Sequence, residues 1–200
     1  MSSHHFVKEG QEPALLILDA DLTDAVASLL EWAPLVIVSS EALPNVLLWG
    51  IKIDIIIHHQ DALLGETELL LKDHGPVSYL NCKERSEAFE TTLMYLTETG
   101  QSTLNVVTSN TGPLFEQSHP FSQSILITIF EGCWKSSVIT AGVYEKWLPE
   151  RTILKVYQDE ALDSIELDGL SGSGPEYEAE SSGMVAIKSR RPFLVSEQFC

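Results

Sequence analysis

Short, predominantly apolar runs separated by segments of helical period fill the first half of the chain, and they constrain its fold more than any other feature. Ala14-Leu-Leu-Ile-Leu18, Leu35-Val-Ile-Val38, Ile53-Asp-Ile-Ile-Ile57, Val77-Ser-Tyr-Leu80 and Leu104-Asn-Val-Val107 are such runs. Brief, mostly apolar stretches without sustained polar alternation read as strands buried on both faces. Between them, Leu22, Val26, Leu29 and Leu30 mark one side of a helix that Asp21 or Thr23 can cap. Ser39 and Ser40 precede a second helix carrying Leu43, Val46 and Leu47 and stopping at Gly50. A short helix is expected around Glu66 to Lys72, and Ala88, Phe89, Thr92, Leu93 and Leu96 recur at helical spacing before Gly100. A strand buried on both faces needs helices above and below it, so a parallel-sheet α/β domain is predicted over residues 1–120.

The texture changes near Ser122. Ser124–Phe130, Ser137–Ile139, Thr152–Tyr157, Ser164–Leu167, Met184–Ile187 and Pro192–Val195 are β-rich and separated by glycine, serine and proline clusters. With no long helix in sight, an antiparallel, β-sandwich-like domain is predicted over residues 121–200. Gly169 to Pro175 reads as a hairpin loop between strands, and no internal repeat is visible.

The net charge of -17 repels phosphate backbones and anionic lipid, so neither nucleic acid nor membrane is an expected partner. Cys82, Cys133 and Cys200 are odd in number and far apart, which indicates neither a zinc ribbon nor a disulfide framework. A reducing cytoplasm is the expected location. The opening Met1-Ser-Ser-His-His-Phe-Val-Lys-Glu lacks a basic head followed by an apolar run. The apolar stretch Val46 to Ile57, interrupted by Gly50, Lys52 and Asp54, is too short to span a bilayer.

Trp49-Gly-Ile-Lys-Ile-Asp-Ile-Ile-Ile-His-His-Gln-Asp61 resembles the thiamine pyrophosphokinase segment LGIxPDxIIGDxDS. Gly50-Ile51, Asp54, Glu90 and Leu93 match locally, as do Leu167-Asp-Gly-Leu170 and Phe193-Leu-Val-Ser-Glu197 in the β-rich half. The order of elements is similar over nearly the whole chain. The resemblance implies an α/β half that handles ATP, a β-rich half that forms a homodimer, thiamine at the dimer interface, and Mg²⁺ held by carboxylates if the kinase reaction operates.

The chain departs from that pattern where the chemistry lies. ADGGAN is replaced by Ser39-Ser-Glu-Ala-Leu-Pro44, which loses both glycines. GDxDS becomes His58-His-Gln-Asp-Ala62, with Asp61 the one clear retained carboxylate and the metal-ligand candidate, to which Glu90 or one of the histidines could add at most a partial site. The acidic helix start becomes Lys83-Glu-Arg-Ser-Glu-Ala-Phe-Glu90, and GGRxDH becomes Thr111-Gly-Pro-Leu-Phe-Glu116. Pyrophosphoryl transfer depends on carboxylates that hold Mg²⁺ and cations that offset charge on the bridging oxygens. With most of these gone, the expectation is a dimeric binding protein that has lost the reaction; the alternative is an active thiamine pyrophosphokinase with a diverged site. Candidate ligand-binding residues are His58, His59, Asp61, Lys83, Arg85, Glu90, Trp134 and Trp147, and no catalytic residue is assigned. The ligand class is a thiamine-like molecule or a nucleotide, with Lys83 and Arg85 available to an anion and Trp134 or Trp147 to a flat cationic ring. As adjacent residues of an extended segment, His58 and His59 point to opposite faces and cannot grip one metal together.

Overall fold

A computed structural model describes residues 12–19, 24–59, 75–140, 142–158 and 165–199. The chain divides into two compact units, residues 1–109 and 110–200. The expected helix at 66–72, the capping residues Asp21 and Thr23, and Asp61 lie outside the described residues.

In the first unit, β1 (Ala14–Ile17), β2 (Val36–Ser39), β3 (Ile55–His59), β4 (Ser78–Cys82) and β5 (Thr103–Val107) pair in parallel in the order β5-β1-β2-β3-β4. Strands β1 and β2 are buried at every position, as continuous apolar runs require. Leu15, Ile17, Val36, Val38, Ile56 and Val107 share one core with α1 (Asp24–Leu30) and α2 (Leu43–Leu47), through Val26, Leu43 and Val46. Residues of the opposite parity, Leu16, Ile37, Ile55 and Ile57, are buried too. The long helix α3 (Ala88–Thr99) packs on β3 and β4 and buries Ala88, Phe89, Thr92, Leu93 and Leu96. Its threonines are tolerated because Thr92, Thr97 and Thr99 donate their hydroxyls to the carbonyls of Ala88, Leu93 and Tyr95. Gly100, at φ 76°, takes the left-handed conformation that closes the helix.

The second unit opens with α4 (Gly112–Ser118) and a 3-10 turn at His119–Phe121. Its strands are β6 (Leu126–Glu131), β7 (Trp134–Ile139), β8 (Gly142–Leu148), β9 (Ile153–Tyr157), β10 (Glu166–Asp168), β11 (Leu170–Ser173), β12 (Glu176–Ala179), β13 (Gly183–Ser189) and β14 (Phe193–Gln198). All are paired antiparallel, in one sheet ordered β11-β12-β9-β14-β7-β6 and another ordered β10-β13-β8. Leu154, Val156, Tyr177, Phe193 and Val195 of the larger sheet share a core with Leu148, Val185 and Ile187 of the smaller. This is the sandwich that the β-rich texture predicts.

Four differences from the sequence reading have physical causes. The histidines His58 and His59 do not follow β3; they are its last two residues, paired with Asn81 and Cys82 of β4. Strand β8 lies at a sheet edge with only Leu148 buried, so no apolar pattern marks it. The Gly169–Pro175 stretch is not a simple loop: β11 runs through it and pairs with β12, which in turn pairs with β9, so partners make these strands rather than propensity. Finally, Cys82 is free and buried but Cys133 is disulfide-bonded. Sequence separation hid this, because the Phe199 amide donates to the Cys133 carbonyl and brings the end of β14 beside the β6–β7 turn.

Candidate functional site

In an open parallel sheet, the ligand crevice lies beyond the carboxyl ends of the strands, where the strand order reverses. Here that point falls between β1 and β5. Just past those strands, Asp19 accepts the Ser109 amide at 2.7 Å and the Ser109 hydroxyl at 3.0 Å. Asp19 was not legible as a site residue, because its partner lies 90 positions away. Beside it, the Ser39 hydroxyl donates to the Leu18 carbonyl and accepts the Ala42 amide at 3.1 Å. The crevice backbone is thus stitched by side chains at positions where glycine loops would leave amides open to phosphate.

Further along the same edge, Glu41 follows β2, His59 ends β3 and Arg85 follows β4. The Glu41 Oε1 lies 3.2 Å from Nε2 of His59 and 3.8 Å from Nε of Arg85. The carboxylate therefore bridges two of the predicted site residues. His58 points to the other face, where its ring meets Tyr79 edge-on with centroids 6.0 Å apart. The two histidines have separate partners, as the alternation of a strand dictates. Lys83 and Glu84 donate their amides to Glu87, which forms a capping box with Glu84 at the turn leading into α3. Glu90 is exposed in the first turn of α3.

Asp54, one of the best matches to the thiamine pyrophosphokinase segment, lies away from this edge. At the amino end of β3 it accepts the Val36 amide at 3.0 Å, donates its own amide to the Val36 carbonyl and pairs with Lys52. Its task is to fix the start of β2 against β3. The two aromatic candidates lie in the second unit. Trp134 carries the Lys155 ammonium 4.0 Å above its ring. Trp147 is 58% exposed and pairs directly with Met184, which is 62% exposed, on the outer side of the smaller sheet.

Two titrating groups depart from their ordinary behaviour. Burial pushes the Cys82 thiol up, opposed by its own backbone hydrogen bond and reinforced by the charges of Glu41 and Glu87. Burial, then the charge of Glu197, pushes the Tyr144 phenol above its usual range.

Mg²⁺ needs a near-octahedral set of oxygen ligands, usually with one or two carboxylates. Among the described residues, no three of His, Cys, Asp and Glu come together as a ligand set. At the sheet edge Glu41 is flanked by an imidazole and a guanidinium and Asp19 is held by Ser109, an arrangement that does not fit that ion.

A parallel α/β unit joined to an antiparallel sandwich defines the architectural class. Solved structures that match the chain include thiamine pyrophosphokinases, so the chain has the thiamine pyrophosphokinase fold. The yeast enzyme matches with a TM-score of 0.69 and 9% identity over 98% of this chain and 88% of its own. The Geobacillus thermodenitrificans protein matches with a TM-score of 0.66 and 13% identity over 94% and 98%. The Candida albicans protein gives 0.66 and 10% over 94% and 90%. No protein-family model and no curated protein matches the chain. No helix among the described residues is long and apolar enough to cross a membrane.

Proposed function

We propose that this chain is a thiamine pyrophosphokinase-fold protein that no longer transfers pyrophosphate and acts as a homodimeric small-molecule-binding protein. One observation carries the reading: Glu41 lies between His59 and Arg85 at the sheet edge where the resemblance places magnesium-binding carboxylates. A carboxylate engaged by two such groups is a poor ligand for a hard cation, and the guanidinium adds repulsion. Asp19 adds a second argument, because it puts negative charge and a filled hydrogen bond at the strand-order reversal, where a polyphosphate would need free donors. The dimer follows from the resemblance. The exposed Trp147–Met184 pair supplies apolar surface for it on the smaller sheet.

The test is a thermal-shift titration with thiamine, ATP and AMP, each with and without Mg²⁺, alongside mass determination by light scattering. A specific ligand raises the melting temperature with the logarithm of its concentration over its dissociation constant. The proposal expects a dimer and no Mg²⁺-dependent shift with ATP. Such a shift, accompanied by one with thiamine, restores the active kinase; a monomer removes the dimeric part of the reading.

A further inference from the structure

The larger sheet of the second unit has an outer face built unlike a solvated one. Directly opposed residues share a face, so register assigns the row: Ser136 opposes Ser196, Ser196 opposes Lys155, and Lys155 opposes Glu176. Trp134, Leu194 and Tyr157, each two positions along its strand, lie on the same face, while Leu154, Val156, Phe193 and Val195 point into the sandwich core. Outward side chains of a sandwich are normally polar and wet. Yet Ser136 and Ser196 are only 2% and 4% exposed. They lie in a cavity of about 500 Å³ whose lining includes Thr111 and Phe115 at the start of α4.

Two features of this cavity call for a ligand. The two serine hydroxyls lie 2.6 Å apart, and one proton serves that contact while the second remains to be donated. The Lys155 ammonium, beside Ser196 in register, is steadied by the Trp134 ring and by Glu176 at 3.5 Å. A cation and adjacent hydroxyl donors suit one anionic acceptor group. Phe115, Leu194, Trp134 and Tyr157 suit a flat apolar body. Glu131 and Glu116, also in the lining, oppose a second negative charge. The volume falls within the range of small-molecule pockets, roughly 300–1,000 Å³.

We propose that this cavity binds a small aromatic or heteroaromatic monocarboxylate, its carboxylate on Lys155 and the Ser136–Ser196 pair and its ring among the apolar side chains. The inference deepens the binding role proposed above and rests on it for biological meaning, but none of its residues belongs to the sheet edge. The test is calorimetric titration of the full chain with benzoate and indole-3-carboxylate, with benzamide as the uncharged comparison and inorganic pyrophosphate as the polyanion. At least one carboxylate should saturate with a dissociation constant of about 1 mM or tighter, and benzamide and pyrophosphate should bind at least about tenfold more weakly. Lys155→Met, which keeps the stem over Trp134, should weaken carboxylate binding by about tenfold or more. Lys155→Gln serves where Met perturbs folding, and Glu98→Gln, at an exposed position of α3, should leave binding unchanged. Absence of saturable carboxylate binding, benzamide binding equal to benzoate, or an unchanged constant in the Lys155 variants overturns the proposal. A Mg²⁺-dependent ATP shift in the same preparation would remove the non-catalytic reading and leave a positive benzoate result standing.

Discussion

Replacing Ser136, Ser196 or both with alanine tests whether the two hydroxyls depend on each other on the outer face of the larger sheet. Each hydroxyl is the other's recorded partner at 2.6 Å, and both residues are almost fully buried. Removing one leaves the other buried without its bond, which costs about 1–3 kcal/mol, whereas removing both leaves no orphan and is nearly neutral. We therefore expect each single substitution to cost about 1–2 kcal/mol and the double no more than about 1 kcal/mol. The interaction energy across the cycle should then be at least about 1 kcal/mol. For a chain of this length, each kcal/mol lowers the melting temperature by roughly 2–4 °C. Urea unfolding followed by circular dichroism and tryptophan fluorescence gives the four free energies. A double substitution costing the sum of the singles would show that the hydroxyls have other partners. Two neutral singles would show that neither hydroxyl depends on the other; either result refutes the mutual bond.

Other consequences are open to measurement. Gly172 has φ +133°, and a Cβ there would lie 2.7 Å from the Glu176 carbonyl oxygen, so Gly172→Ala should lower stability by about 1–3 kcal/mol in a urea titration. Glu41→Ala removes a half-buried anchor of His59 and the mostly exposed Arg85; the expected loss is about 1 kcal/mol or less and should shrink in high salt. Tyr144 has a folded pKa raised above its unfolded value, so its stabilising contribution is complete below about pH 10 and is lost as pH rises toward the folded value. Tyr144→Phe should therefore flatten the fall in melting temperature above about pH 10, and an unchanged slope would contradict that. The Cys82 thiol, buried and raised, should react with a disulfide reagent far more slowly than a free cysteine at the same pH, with unfolding restoring the ordinary rate.

The parallel half was legible because its strands are buried on both sides: Leu15 to Ile17 and Val36 to Val38 announce themselves by unbroken apolarity. Strands β8, β11 and β12 were not, because Gly142–Leu148 is an edge with one buried residue and Leu170–Ser173 is held by pairing with β12. At the sheet edge, His59 and Arg85 could be singled out by chain position, but Glu41 gives no local sign that it bridges them. Asp54 carries the opposite lesson: a match to a recognised segment proved to be a stitch at the amino end of the sheet. Lys155 reads as an ordinary polar position in an alternating strand. Only the register that sets it beside Ser196, and its place over the Trp134 ring, show its charge at a cavity.

The central claim is that the thiamine pyrophosphokinase fold persists here without its reaction. Its most direct test is AMP formation by the full chain with thiamine, ATP and Mg²⁺, measured chromatographically against the same mixture without thiamine. The account predicts AMP at the level of that control, unchanged by added protein. Thiamine-dependent AMP that rises with protein concentration and disappears on chelating Mg²⁺ would contradict it.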